Sequence, residues 1–366
     1  RQTEQLQQEL PTADAPHHDW LTFGRRLGEW LASQWSLNLP PEDETLARAL
    51  HAEAEQRFAD WLTGRFSALL SLPPIPQPWV VHQVAPHMAR GWLAQGKPRR
   101  ALVVVDGMNS AQWAILRRQL DLGPNLDVEE STVLAFVPSI TQVSRQAIFA
   151  GDLPRSFAAS IGTTTKEAVL WTRFWEGQGA LKSQVGYLLY GEGESLDDFL
   201  DRLGALTGKA TMRIIGLVLG QVDRLTHGAA GVVTSRELQK NMAAWGEGGT
   251  LRKVLAHLLD AGYEIWLTSD HGNIEAVGAG NPGTGSLTEE RSERALVFKH
   301  APLRNAVAGK FANALVWNGV GLPDEYYPLV ATGFEAFTTK GKSTLSHGGV
   351  SIEEMVVPFV RMGQRT

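Results

Sequence analysis

Ala101-Leu102-Val103-Val104-Val105-Asp106-Gly107 is a short, fully apolar run that stops abruptly at an acidic residue and a glycine. Other runs have the same texture. Residues 132–137 lead to Pro138, a run within 212–222 ends at Asp223, and residues 263–268 lead into Ser269-Asp270-His271-Gly272. Residues 295–298 and 355–360 are further candidates. Strands buried on both faces read as continuous apolar runs, and helical stretches separate the runs here. The pattern predicts an α/β fold, an α/β/α sandwich around a mostly parallel central sheet.

The longest helical signal lies between the third and fourth runs. There Thr234 and Glu237 form a capping-box pattern and residues 246–249 predict a break. The front of the chain reads differently. Residues 20–35 and 44–70 carry apolar side chains at three- and four-residue spacing, with prolines at 40, 41, 73 and 74 and a Pro-rich connector over 72–78. This predicts a small helical region and connector over residues 1–95, followed by a catalytic domain over 96–366. His17 and His18 fall in a polar leader and are expected in a solvated loop, and the Gly-rich stretch 278–286 is expected to be a mobile loop.

Composition narrows the function. The chain has 366 residues, 43% hydrophobic and 20% charged, which is ordinary for a soluble globular protein. A formal net charge of −5 supplies no global basic field for nucleic acid. With no cysteine, the chain has no disulfide framework, thiolate zinc site or cysteine nucleophile. A transition-metal site must therefore use His and carboxylates. No window approaches the roughly 18 uninterrupted apolar residues of a membrane span, and no secretory signal is visible. The expected compartment is the cytoplasm. The chain opens on Arg1 rather than Met, as a processed or truncated chain would.

The informative polar residues fall where apolar runs end, which in open α/β sheets is where ligands bind. Asp106 alone would pass for an ordinary Asp-Gly turn. Asp223 and His227 form Asp-x-x-x-His directly after a run, a spacing that suits either one shared cation or a helix N-cap beside an unrelated His. Asp270 and His271 can share a metal if the backbone turns sharply, which Gly272 allows. His347 stands in Ser-His-Gly-Gly. Thr141 precedes a helical stretch, so its hydroxyl can cap that helix or act as a nucleophile beside a phosphate held at the helix N-terminus. A Thr hydroxyl attacks at neutral pH only when a base or metal activates it.

Taken together, Asp106-Gly107, Pro138-Ser139-Ile140-Thr141, Asp223-x-x-x-His227, Ser269-Asp270-His271-Gly272 and Ser346-His347-Gly348-Gly349 resemble the motif set of the alkaline-phosphatase superfamily, in order and spacing. More narrowly, Val137-Pro-Ser-Ile-Thr141 with Ser144-Arg145, and the stretch His347 to Pro358, resemble the PglZ family of BREX bacteriophage-defence systems. The resemblance runs from Arg99 to about Met362. It implies two divalent metal ions, zinc with manganese as the alternative. Asp223, His227 and His347 would hold one ion, and Asp106, Thr141, Asp270 and His271 the other. Thr141 would attack phosphorus in line to give a covalent phospho-threonine that water then hydrolyses. All seven side chains are present, which argues against a degenerate copy.

Secondary candidates are Arg145, able to reach a phosphate oxygen or to pair with an acid at the surface, and Lys166, able to contact substrate or simply to open a helix. Arg291 and Arg294 flank the Gly-rich loop as a nucleic-acid contact or a solvated cluster. Trp171, Phe174 and Trp175 have helical spacing and are expected in the core, with base stacking as the alternative. The resulting expectation is a phosphodiesterase acting on nucleotide or nucleic-acid esters, with other phage-defence proteins as partners. The alternatives are a phosphomonoesterase, a non-catalytic or weakly active assembly module of a defence complex, and a phosphomutase. A sulfatase fits poorly in a chain without cysteine.

Overall fold

The computed structural model describes residues 2–34, 41–227, 234–283 and 292–365. Its strands are β1 (Arg100–Val105), β2 (Leu126–Leu134), β3 (Val185–Tyr190), β4 (Ile214–Leu219), β5 (Glu264–Thr268), β6 (Ile274–Gly278), β7 (Ala295–Phe298), β8 (Ala314–Val316), β9 (Tyr327–Ala331), β10 (Glu335–Ala336), β11 (Ser343–Ser346) and β12 (Val356–Gln364). The helices are α1 (Gln2–Gln8), α2 (His17–Gln34), α3 (Pro41–Leu69), α4 (Val84–Ala89), α5 (Ser110–Arg117), α6 (Thr141–Ala150), α7 (Glu167–Gly177), α8 (Leu196–Thr207), α9 (Gln221–His227), α10 (Ser235–Glu247), α11 (Thr250–Asp260), α12 (Ala301–Ala308) and α13 (Ile352–Met355).

Six strands form the central sheet in the order β2-β12-β5-β1-β4-β3. β1 runs parallel to β4 and β5, and β3 parallel to β4, while β12 is antiparallel to both its neighbours. Five strands therefore share one direction and β12 opposes them. Every residue of β1 and β4 is buried. Leu102 and Val104 point into one apolar cluster with Trp20, Phe149 and Trp171, and Ala101, Val103 and Val105 into a second with Phe199, Met242 and Leu255. Helices thus cover both faces, and each fully buried Val or Leu contributes roughly 1.5–3 kcal/mol relative to exposure. The α/β/α sandwich read from the sequence is the observed fold.

The helical front shares its core with the sheet. A Cβ on Gly24 would stand 2.6 Å from Val356 Cγ1, and one on Gly28 would stand 2.6 Å from Ser110 Cβ, so α2 lies directly on β12 and α5. The Thr132 hydroxyl donates to the Leu21 carbonyl at 2.7 Å. The connector is pinned by Gln83, whose amide donates to the Leu69 and Leu72 carbonyls and accepts from the Trp79 N–H. His17 and His18 lie in the first turn of α2 and not in a loop. His17 packs edge-on against Trp79, with ring centroids 4.3 Å apart, which draws the helix start down onto the connector.

Residues 295–298 form a strand, but outside the central sheet: β7 belongs to a three-stranded sheet β7-β9-β8, and β10-β6-β11 makes another. The α10–α11 break follows expectation, with Thr234 and Glu237 forming a capping box and Gly249 at φ 73°. In the stretch 278–286, residue 278 ends β6 and residues 279–283 follow without regular structure, while 284–286 lie outside the described residues. Among the described residues, no helix is long and apolar enough to cross a membrane.

Candidate functional site

The carboxyl ends of β1, β4 and β5 meet at one place because their registers align. The Asp106 N–H donates to the Leu219 carbonyl at 3.0 Å, and the Asp223 N–H to the Asp106 carbonyl at 3.1 Å. Gly107 turns at φ 75°, and its N–H donates to Asp270 Oδ1 at 3.1 Å. The N–H of His271 donates to that same oxygen at 3.1 Å. Gly272, read as allowing a sharp turn, is not at positive φ. It is required for close approach: a Cβ there would stand 1.9 Å from the Glu353 carbonyl oxygen.

This arrangement leaves two buried carboxylate oxygens, Asp106 Oδ1 and Asp270 Oδ2, with no hydrogen-bond partner. Such atoms are costly unless a cation compensates them. One donor atom each from Asp106, Asp270 and His271 lies within 4.8 Å of the others, and all three residues are buried. Burial first, and the Asp106 carboxylate second, push the Asp270 carboxyl well above its usual range. A divalent ion among them would reverse that cost, so these residues fit a metal.

Both histidines are oriented through Nδ1. His271 Nδ1 lies 2.9 Å from the Gly272 carbonyl and His347 Nδ1 3.0 Å from the Ser139 carbonyl. A ring nitrogen facing a carbonyl must carry the proton, so each Nε2 presents its lone pair as acceptor or ligand. Nε2 of His271 stands 3.0 Å from Thr141 Oγ1. The two rings stack with centroids 3.9 Å apart and planes at 12°. Thr141 opens α6 as its first residue. The N-cap is Ile140, which supplies no side-chain cap, so the Thr hydroxyl is turned to the histidine and does not cap the helix.

Asp106, Thr141, Gln142, Arg145, Asp223 and His347 are among the residues lining one cleft of about 200 Å³, with Thr163, Thr164 and Ser292 on its walls. Six of the seven predicted metal ligands therefore gather at the cleft or directly beneath it. The seventh, His227, ends α9 one helical turn beyond Asp223, and its side chain lies outside the description. Lys166 is exposed at the N-cap of α7 and does not line the cleft.

Arg145 corrects the surface-pair reading. It is 5% exposed and bonds Asp106 through Nη1 and Glu167 Oε1 through Nε, the latter at 2.7 Å. Tyr187 donates its hydroxyl to the other Glu167 oxygen at 2.6 Å. Burial alone would lower the Arg145 pKa, but the carboxylates of Asp106 and Glu167 outweigh it and raise it.

Arg294 is likewise neither solvated nor poised for nucleic acid. It is fully buried, with Nε and Nη2 on the two Glu354 oxygens at 2.9 and 3.0 Å. Glu354 also accepts the Gly349 N–H at 2.7 Å, which fixes the backbone just past His347. Arg291 lies outside the described residues. Trp171 and Trp175 are fully buried, in keeping with the core reading.

Sequence reading did not single out Ser139 as a clamp. Its hydroxyl donates to the Gly349 carbonyl at 2.8 Å and accepts the Gly348 N–H at 3.1 Å, sewing the Thr141 segment to the His347 segment. Its only signal was membership of the Pro-Ser-Ile-Thr motif.

The family model of the BREX system PglZ alkaline phosphatase-like domain matches residues 83–362. The chain belongs to the PglZ family. Among curated proteins none matches. Among solved structures, murine ectonucleotide pyrophosphatase/phosphodiesterase 5 aligns with a TM-score of 0.51 at 12% identity, covering 72% of this chain and 88% of that one. The human form aligns at 0.48 and 12%, covering 72% and 87%. Phosphonoacetate hydrolase from Sinorhizobium meliloti 1021 aligns at 0.42 and 12%, covering 72% and 90%. At 12% identity the likeness to the murine structure is one of fold.

Proposed function

We propose that this PglZ chain is a two-metal phosphohydrolase that cleaves phosphodiesters, nucleotides or nucleic acid among them, through a covalent phospho-threonine on Thr141 in BREX phage defence. One observation carries the reading: the Thr141 hydroxyl stands 3.0 Å from His271 Nε2, in a cluster whose buried Asp106 and Asp270 oxygens lack partners. Asp106, Thr141, Asp270 and His271 would hold one ion, and Asp223, His227 and His347 the other. Imidazole with carboxylate suits zinc, with manganese as the alternative. Bound divalent ions would lower the hydroxyl pKa and neutralise phosphate charge.

The chain's own residues supply the rest. Thr141 Oγ1 gives up its proton and bonds to phosphorus as the bond to the leaving oxygen breaks, and that oxygen departs as the alcohol with a proton in balance. The N–H groups opening α6 would meet the phosphate oxygens, and Arg145 lines the same cleft. Water then attacks phosphorus, the bond to Oγ1 breaks, and Thr141 regains its proton. Lys166, two residues beyond Thr164 on the cleft wall, would meet only a larger substrate.

The diester preference rests on an adjoining groove of about 390 Å³ lined by Ile140, Ile161, Val297, Pro323 and Tyr326, which shares Gln142 and Gly162 with the cleft. Such a groove accommodates the second organic substituent that a diester carries and a monoester lacks. The fold shared with a structure named a pyrophosphatase/phosphodiesterase agrees with it.

The test is hydrolysis of a bis(aryl) phosphodiester and the matching monoester, with zinc or manganese and a metal-stripped control. Metal-dependent cleavage of the diester supports the reading, and monoester preference redirects it to a phosphatase. No turnover of either ester in metal-loaded protein would leave the assembly module.

A further inference from the structure

A second cluster of metal-ligating side chains lies outside the cleft. His51 and Glu55 stand one turn apart on α3 and face Glu353 on α13. His51 Nε2 is 3.4 Å from Glu55 Oε1 and 3.3 Å from Glu353 Oε1. This buried nitrogen meets the hydrogen-bond geometry of neither oxygen, although the two carboxylates outweigh burial and raise the His51 pKa to about 10. A hydrogen bond would draw one oxygen to about 2.7–3.2 Å in line with the N–H. Here the nitrogen aims between the two carboxylates.

These spacings have a simple geometric meaning. In a tetrahedral zinc site, bonds of about 2.0–2.2 Å place neighbouring ligand atoms roughly 3.3–3.6 Å apart. Both nitrogen–oxygen distances match that edge. The donors are also held in place. Glu55 is 1% exposed and accepts the Ile352 N–H at 2.9 Å, and the His51 ring packs edge-on against Phe334 with centroids 4.8 Å apart. The His51 and Glu353 side chains retain 14% and 10% exposure, so the cluster lies just beneath the surface.

We infer that His51, Glu55 and Glu353 form a structural site for a divalent cation, zinc by donor type and geometry. The ion would fasten α3, which precedes the residues matched by the family model, to the segment behind the cleft. The Gly272 N–H, next to His271, donates to the carbonyl of Glu354 at 2.9 Å. The site would thus brace the floor of the candidate active centre from outside.

The test is zinc content per chain, measured by mass spectrometry of the elements after chelation, zinc reloading and gel filtration. His51→Ala and Glu353→Gln are compared with the parent, each also in an Asp270→Asn background, so that loss at the cleft and loss here are counted separately. The expected result is one zinc fewer per chain in either variant and in either background, with a lower melting temperature in zinc. Folded His51→Ala or Glu353→Gln protein with the parental zinc content would overturn the inference. Should both variants fail to fold, Asp270→Asn combined with His347→Ala decides: one retained zinc supports the site, and none overturns it.

Discussion

The Thr141 hydroxyl oxygen stands 3.0 Å from His271 Nε2, on a ring whose Nδ1 is committed to the Gly272 carbonyl. That commitment fixes the tautomer, so the hydroxyl meets a lone pair. His347 is committed in the same way to the Ser139 carbonyl, and the two rings stack. The candidate site is therefore set by backbone carbonyls of two loops as much as by its own side chains.

Ser139 is the residue that joins those loops. Ser139→Ala removes the bonds to Gly348 and Gly349 while leaving the carbonyl that holds His347 in place. The expected outcome is about 10–100-fold weaker metal binding or activity, the range for partners that orient ligands. Competition with a chromophoric chelator checks this, and a thermal melt separates it from unfolding.

The Arg145–Glu167–Tyr187 chain is expected to matter for stability and for substrate alike. Removing one partner of a buried ion pair costs about 3–5 kcal/mol, so Glu167→Ala should fall in that range. Tyr187→Phe loses one hydrogen bond to the carboxylate, about 1.5 kcal/mol. Because Arg145 lines the cleft, Tyr187→Phe should also raise KM more than it lowers kcat. Urea unfolding and steady-state kinetics on the diester read the two effects. An unchanged midpoint in Glu167→Ala would contradict the first.

His82 predicts a pH dependence apart from the cleft. It is buried, with Nε2 3.2 Å from the Leu70 carbonyl and Nδ1 without a partner, and burial pushes its pKa down to about 4 from 6.5. Between these values the unfolded chain binds the proton and the fold does not. The contribution is therefore complete above about pH 6.5 and is lost as pH falls towards 4, on the order of 3 kcal/mol in all. Urea midpoints from pH 7.5 to 4.5 should fall less steeply in His82→Gln than in the parent. Parallel slopes would contradict the assignment.

Most of the central sheet was legible because β1, β4 and β5 are buried on both faces and read as uninterrupted apolar runs. β3 was not, since it lies at the sheet edge with four of its six residues less than fully buried. The first half of β2 is polar for the same reason. Thr141, Asp106, Asp223, Asp270 and His347 were legible because each follows a recognisable break. The roles of Arg145, Arg294 and Ser139 were not, because their partners come from remote segments. His51 and Glu55 were hidden in the same way: on the helix they look like ordinary polar residues, and only folding brings Glu353 to them.

The most direct test of the central claim compares the parent, Thr141→Ser and Thr141→Ala on the bis(aryl) diester, with bound metal counted in the same samples. The account predicts that the Ser variant retains turnover, and that the Ala variant loses it by on the order of 10³-fold or more while still holding metal. Undiminished turnover in Thr141→Ala, with metals bound as in the parent, would contradict it and hand the attack on phosphorus to water.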